Sequence, residues 1–277
     1  MSILSNNRFL QRVNPEIVRA RTDAGASLVS DHAVIQPLMR QMVDLGIADN
    51  LKLWVHSGLV NTRTSGSDLF VPKAYDISGE ENDAAQTTPA NQPKLVDHGF
   101  ELTSANSHNL QITNADSLNS SAATIILWAY PASIVTFPRL VSHFDATNSA
   151  RQRFDIYHHS NNNQIRFRFG DTNGVLNDNN FFDISQVNYL QNWHHLAVTI
   201  DTRVIIYHNG QEVHNEAIAH GIDSISTAPT PLMIGGYINF ARFFNGTIND
   251  VRYLDSVISA TQITSIYNAT KGYYGIT

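Results

Sequence analysis

The sequence predicts an all-β sandwich of antiparallel strands preceded by an arm and a helix. Three observations carry this. From Leu51 onward short segments alternate apolar and polar residues with period two. Turn-forming residues separate those segments. The 277 residues include 27 Asn but six Glu and four Lys, so strong helix formers are scarce.

Taken in order, residues 1 to about 30 read as an irregular arm. Arg8, Arg12, Arg19 and Arg21 oppose Glu16 and Asp23, and Pro15 and Gly25 interrupt any periodicity. Two readings stand: a frayed terminus, or an arm that orders against a partner through Ile3, Leu4, Phe9, Leu10, Ile17 and Val18. Residues 31–48 carry the clearest helix signal. Pro37 suits a first turn, Gly46 suits the residue past the end, and Leu38, Met39, Met42 and Leu45 recur at helical spacing. That stripe must be buried on the chain's own sandwich or on a neighbouring subunit. Residues 1–48 are therefore expected to be a docking or oligomerisation segment, with Phe9, Leu10, Leu38, Met39 and Met42 as its anchors. Residues 49–277 are the β domain.

Strands are expected at 51–55, 124–130, 153–157, 164–169, 195–200, 204–207, 232–235 and 246–253. Asn209-Gly210, between Val204–His208 and Gln211–Val213, signals a hairpin whose turn needs positive φ. Trp128 lies in a run apolar on both faces and is expected in the core. A closing helix should start near Ser259 and end near Tyr267.

Composition excludes several functions. A net charge of -6 and a pI near 6.0 argue against nucleic-acid partners. The absence of cysteine excludes disulfides, a thiol nucleophile and thiolate zinc sites. No N-terminal signal pattern and no run of roughly 20 apolar residues is present, so synthesis in a cytosol and no membrane partner are expected.

Three passages resemble the concanavalin A-like, laminin G/pentraxin-like superfamily. Trp193-His194-His195-Leu196-Ala197-Val198-Thr199-Ile200-Asp201 is similar to its Trp-x-His-hydrophobic-Ala-Val-Thr strand. Val204–Val213 is similar to its Leu-Tyr-Val-Asn-Gly hairpin, with His208 in place of Val. Phe244–Tyr253 is similar to its Phe-x-Gly-x-Ile-Asp-Asp-Val-Arg strand. Upstream, Tyr75–Gln86 and Asn91-Gln92-Pro93 resemble the entry segment of such domains in bacteriophage virion proteins. The resemblance implies a two-sheet antiparallel jelly roll of the concanavalin A-like lectin or laminin G type. It further implies a virion structural protein, as head decoration, head fibre or tail-fibre subunit. Its partners would be other virion proteins, further copies in a homo-oligomer (a trimer is favoured), and a host-surface glycan. A free carbohydrate-binding lectin is the alternative, and a glycoside hydrolase a distant one.

Catalysis is not expected. Sandwich glycosidases of this superfamily present Glu and Asp at alternating positions of one strand, and a retaining pair lies about 5–5.5 Å apart. Glu16, Glu80, Glu81, Glu101, Glu212 and Glu216 form no such array. His158-His159 and His194-His195 are strand neighbours that point to opposite faces, so neither pair chelates one ion. The superfamily often binds calcium through Asp and Asn. Asp250 falls on its acidic position, though Asn249 replaces the preceding Asp and six to eight oxygens cannot be assembled. Calcium near Asp250 is the one metal expectation.

The remaining candidate is a hairpin. Arg153, Asp155 and Tyr157 share one strand face, and Gln164, Arg166 and Arg168 share the facing one, with Asn162 in the turn between. Planar side chains beside Arg and Asp suit a sugar. A subunit interface or a solvated face are the alternatives.

Overall fold

The computed structural model describes residues 17–113, 115–144, 152–171, 173, 175–219, 231–237 and 241–277. In chain order the strands are β1 (Leu28–Ser30), β2 (Leu51–Ser65), β3 (Asp68–Asp76), β4 (Ala84–Ala85), β5 (Lys94–Val96), β6 (Gly99–Leu102) and β7 (Leu110–Ile112). They continue with β8 (Ala123–Pro131), β9 (Arg139–Phe144), β10 (Gln152–His159), β11 (Gln164–Gly170) and β12 (Leu176–Asp183). The last five are β13 (His194–Ile200), β14 (Arg203–His208), β15 (Gln211–Ala217), β16 (Leu232–Ile234) and β17 (Gly246–Leu254). Helices α1 (His32–Asp44) and α2 (Ala260–Thr270) stand at the two ends.

All pairings are antiparallel. One layer runs β15-β14-β13-β8-β17-β2. The other runs β12-β11-β10-β9-β16-β7-β4-β3. The β2–β3 hairpin joins them. The expected two-layer sandwich is present.

Alternation decides which side chains fill the space between the layers. Leu53, Val55, Ile125, Leu127, Leu196 and Val198 of the first layer meet Phe154, Ile156, Phe167 and Phe169 of the second in one buried cluster. The intervening residues of the first layer, Trp54, Ile126, Ala197 and Tyr207, face outward into a second cluster roofed by both helices. Trp128 is fully buried as expected, but on this outer side: it stacks on Tyr267 and Tyr274 and donates Nε1–H to Thr270 Oγ1 at 3.0 Å.

Helix α1 begins earlier than Pro37 suggested. Asp31 caps it, its carboxylate accepting Val34 N–H at 3.2 Å, and Pro37 lies inside the helix. The apolar stripe is consumed by the chain itself: Leu38, Met39 and Met42 sit in the second cluster with Trp54, Ile263 and Ile266. Met42 has no exposed surface, and burying such a side chain contributes about 1.5–3 kcal/mol. These three residues are therefore not docking anchors, which corrects the expectation. Phe9 and Leu10 lie outside the described residues. Gln41 Nε2 donates to Ser265 O at 2.7 Å and Gln262 Nε2 to Leu45 O at 2.9 Å, tying α1 to α2. A helix over residues 17–24 also folds back, where Arg19 pairs with Asp83 at 2.5 Å.

The Asn209-Gly210 turn has φ of 51° and 76°, the left-handed pair that joins β14 to β15. Helix α2 starts with the expected reciprocal cap, Ser259 accepting from Gln262 N–H while Gln262 Oε1 accepts from Ser259 N–H.

Candidate functional site

The two outer faces of the sandwich differ. Helices α1 and α2 cover the first layer, whereas the second layer presents a polar outer face. Because Phe154 and Ile156 point inward, Asp155 and Tyr157 point outward, joined across the β10–β11 register by Arg168 and Arg166. These four share a face as the alternation predicted. Arg153 does not join them. A bulge between β9 and β10 turns it aside, and its buried guanidinium reaches Ser120 O at 3.2 Å and the Tyr253 phenol. Asn162 is exposed on the β10–β11 turn. Arg166 turns to Gln164 Oε1 at 2.7 Å and Asp178 at 3.6 Å, over the Phe181 ring.

Strand β9 and the segment before β17 complete the site. A cleft of about 250 Å³ is lined by Phe137, Arg139, Tyr157, His159, Arg168 and Arg242. Asp155 lies beneath, with no exposure. It accepts Arg139 Nε at 2.9 Å and Arg168 Nε and Nη2 at 3.1 and 2.5 Å. One carboxylate thus locks two guanidiniums in place. Burial disfavours charge on Arg168, but Asp155 outweighs it and raises the Arg168 pKa, so the group stays cationic. Arg139 stacks over Tyr157 and Tyr237 at 4.2 and 4.9 Å, and Arg242 over Phe137 at 5.0 Å. Burial pushes the Tyr237 phenol up to about 12 and also raises that of Tyr157, which donates to Asp178 Oδ1 at 2.7 Å. Both phenols are neutral at physiological pH.

Phe137 adopts a left-handed backbone, φ 48°. That conformation costs a bulky residue of order 1–3 kcal/mol and persists only where surroundings enforce it. Here the turned Phe137 carbonyl accepts Arg139 Nη1 at 2.6 Å, and Arg242 Nη1 donates to Thr136 O at 3.2 Å. The strained turn therefore aims two of the three cleft arginines.

Phe137, Arg139, Tyr237 and Arg242 escaped sequence reasoning. They belong to segments distant in the chain, brought beside β10 by β9–β10 and β9–β16 pairing. The Phe137-Pro138-Arg139 entry to β9 was the available signal.

Asp250 performs a different task from the expected one. It sits at φ 52° on a bulge of β17, so that its side chain and that of Arg252 meet in two 2.7 Å bonds. Trp54 Nε1 donates to it as well at 2.7 Å. With both oxygens held by a guanidinium, this carboxylate does not fit a calcium ligand. Among the described residues no group of three or more His, Asp or Glu is placed to hold a metal ion. The adjacent histidines diverge: His158 stacks on Tyr189 and His159 meets Phe137 edge-on, while His194 bonds His208 at 2.9 Å and His195 packs on Trp128.

Residues 104–264 match the family model of the concanavalin A-like lectin/glucanases superfamily. The chain belongs to that superfamily. No curated protein sequence matches this concanavalin A-like chain. Its fold is similar to the binding domain of Paraclostridial Mosquitocidal Protein 1, with a TM-score of 0.61 and 16% identity over 83% of this chain and 56% of that one. The botulinum neurotoxin type G receptor-binding domain superposes at 0.52 with 17% identity, covering 79% and 51%. The binding domain of botulinum neurotoxin DC, solved with rat synaptotagmin II, superposes at 0.53 with 13% identity, covering 80% and 52%. The concanavalin A-like chain spans about half the length of these structures.

Proposed function

We propose that the chain is a non-enzymatic, lectin-like adhesion protein that binds a glycan through the cleft on the second layer's outer face. The observation that carries this is a recessed set of three arginines and aromatic rings, two of the arginines held by a buried carboxylate, on the layer that neither α1 nor α2 covers. Rigid polar groups in an aromatic-lined recess are what sugar recognition requires. Asp155, the carboxylate beneath the cleft, is clamped between two guanidiniums and poorly suited to acid–base work. The solved structures of similar fold are described as binding or receptor-binding domains, which supports a binding role.

We further propose that this domain is carried on a virus particle, as head decoration, head fibre or tail-fibre subunit, within a homo-oligomer. The support is the resemblance of Tyr75–Gln86 and Asn91-Gln92-Pro93 to the entry segment of such domains in virion proteins. Because residues from 17 onward fold on their own sandwich, the anchoring role falls to residues 1–16. A glycan array probed with the full chain and with Arg139→Gln tests the binding reading, which fails if no glycan is retained. Deleting residues 1–16 should abolish incorporation into particles while leaving the domain folded; unchanged incorporation would reject the anchor.

A further inference from the structure

The cleft's charge specifies the class of sugar. Among the described residues its lining holds three guanidiniums, Arg139, Arg168 and Arg242, and no carboxylate. Among the described residues Asp155 underneath offsets one of these charges, and Asp178, which accepts from Tyr157, is paired with Arg166, so the recess keeps an excess of positive charge. This excess is placed in a chain whose net charge is -6. A long polyanion would meet the repulsion of that overall charge, whereas a ligand with one anionic group meets only the local field. The volume of about 250 Å³ lies below the roughly 300–1,000 Å³ of drug-sized ligand sites, so one sugar residue fills it and the remaining glycan extends into solvent.

From these observations we infer that the cleft recognises a terminal acidic sugar through its anionic group, carboxylate or sulfate, with Arg242 as the specificity-determining residue. Arg139 and Arg168 are oriented by Asp155. Among the described residues Arg242 donates to the protein through Nη1 alone, to Thr136 O, and its guanidinium carbon lies over the Phe137 ring at 5.0 Å. A guanidinium so fixed presents its fork to an oxyanion in two parallel bonds. Phe137 and His159, in edge contact at 4.8 Å, supply an apolar rim for the ring carbons. His159 is held below its ordinary pKa by burial and by Arg166, so it adds no competing charge near neutrality. The inference rests on the cleft being a glycan site.

The experiment uses matched probes: oligosaccharides ending in glucuronic acid, in N-acetylneuraminic acid, in glucose and in glucose 6-sulfate, titrated calorimetrically against the full chain. Binding of at least one acidic probe is expected, with glucose about tenfold or more weaker, as loss of a charge-assisted pair implies; the carboxylated and sulfated probes tell the two sources of charge apart. Arg242→Gln should lower affinity for the acidic probe about tenfold, and Arg203→Gln, on the exposed end of β14, should not. Equal affinity for acidic and neutral probes overturns the inference while leaving glycan binding intact. If none of the four binds but a broad array retains neutral glycans, the inference also fails. If nothing on the array is retained, the site reading falls with it.

Discussion

Acid should destabilise this fold through its buried histidines. His56 and His195 are almost fully buried, and burial lowers their pKa values to about 4 and about 3, more than the nearby Asp250 raises them. A base with a depressed folded pKa contributes stability above its unfolded pKa of about 6.5, and that stability is lost as pH falls toward the folded value. Going from about pH 7 to about pH 5, each of the two gives up about 2 kcal/mol, because the unfolded chain takes the proton and the folded one does not. Asp76 opposes them. Burial raises it to about 6 against four hydrogen bonds that favour the charged form, so the same descent returns about 1 kcal/mol. These three groups leave a net loss of about 3 kcal/mol, and His158 and His208, each lowered to about 4 mainly by burial, add to it. Urea unfolding at constant ionic strength, in steps between about pH 7 and pH 5, measures it. His195→Phe keeps a ring against Trp128 and should flatten the dependence by about 2 kcal/mol. A midpoint that is constant or rises toward pH 5 would refute the reasoning.

Three further outcomes follow from packing and charge. Asp155→Asn removes the partner of Arg139 and Arg168 and should cost about 3–5 kcal/mol in urea unfolding, whereas Arg242→Gln at the rim should stay within about 0.5. Met42→Ala opens a hole between α1 and the first layer and should cost about 2–5 kcal/mol with no change of oligomeric state by light scattering; dissociation of an oligomer would return the helix to a docking role. Gly246→Ala places a Cβ 2.2 Å from Tyr130 O at φ 149°, so β17 must shift against β8. Loss of soluble protein, or a melting temperature many degrees lower, is the expected result.

The long alternating strands were legible because one period-two pattern reports both burial and register. β8, β10, β11, β13, β14 and β17 appear where expected, and Asn209-Gly210 places its turn. Strands β3–β7, β9 and β12 were not, since several span two to four residues and β12, Leu176–Asp183, is rich in Asn whose tertiary partners are invisible in sequence. At the site, alternation put Asp155, Tyr157, Arg166 and Arg168 on one face. It could not foresee the bulge that removes Arg153, nor the strand pairing that brings in Arg139. Helix α1 shows the limit from another side: amphipathicity declared that a stripe is buried, and only the fold says against what.

The clasp between α1 and α2 has a practical consequence. Both helices roof the layer opposite the arginines, and the last residues pack there too, Tyr274 stacking on Trp128 at 4.3 Å. A tag or surface linkage placed at the C-terminus therefore sits at the molecule's back, and an immobilised sample keeps its recess turned toward the analyte.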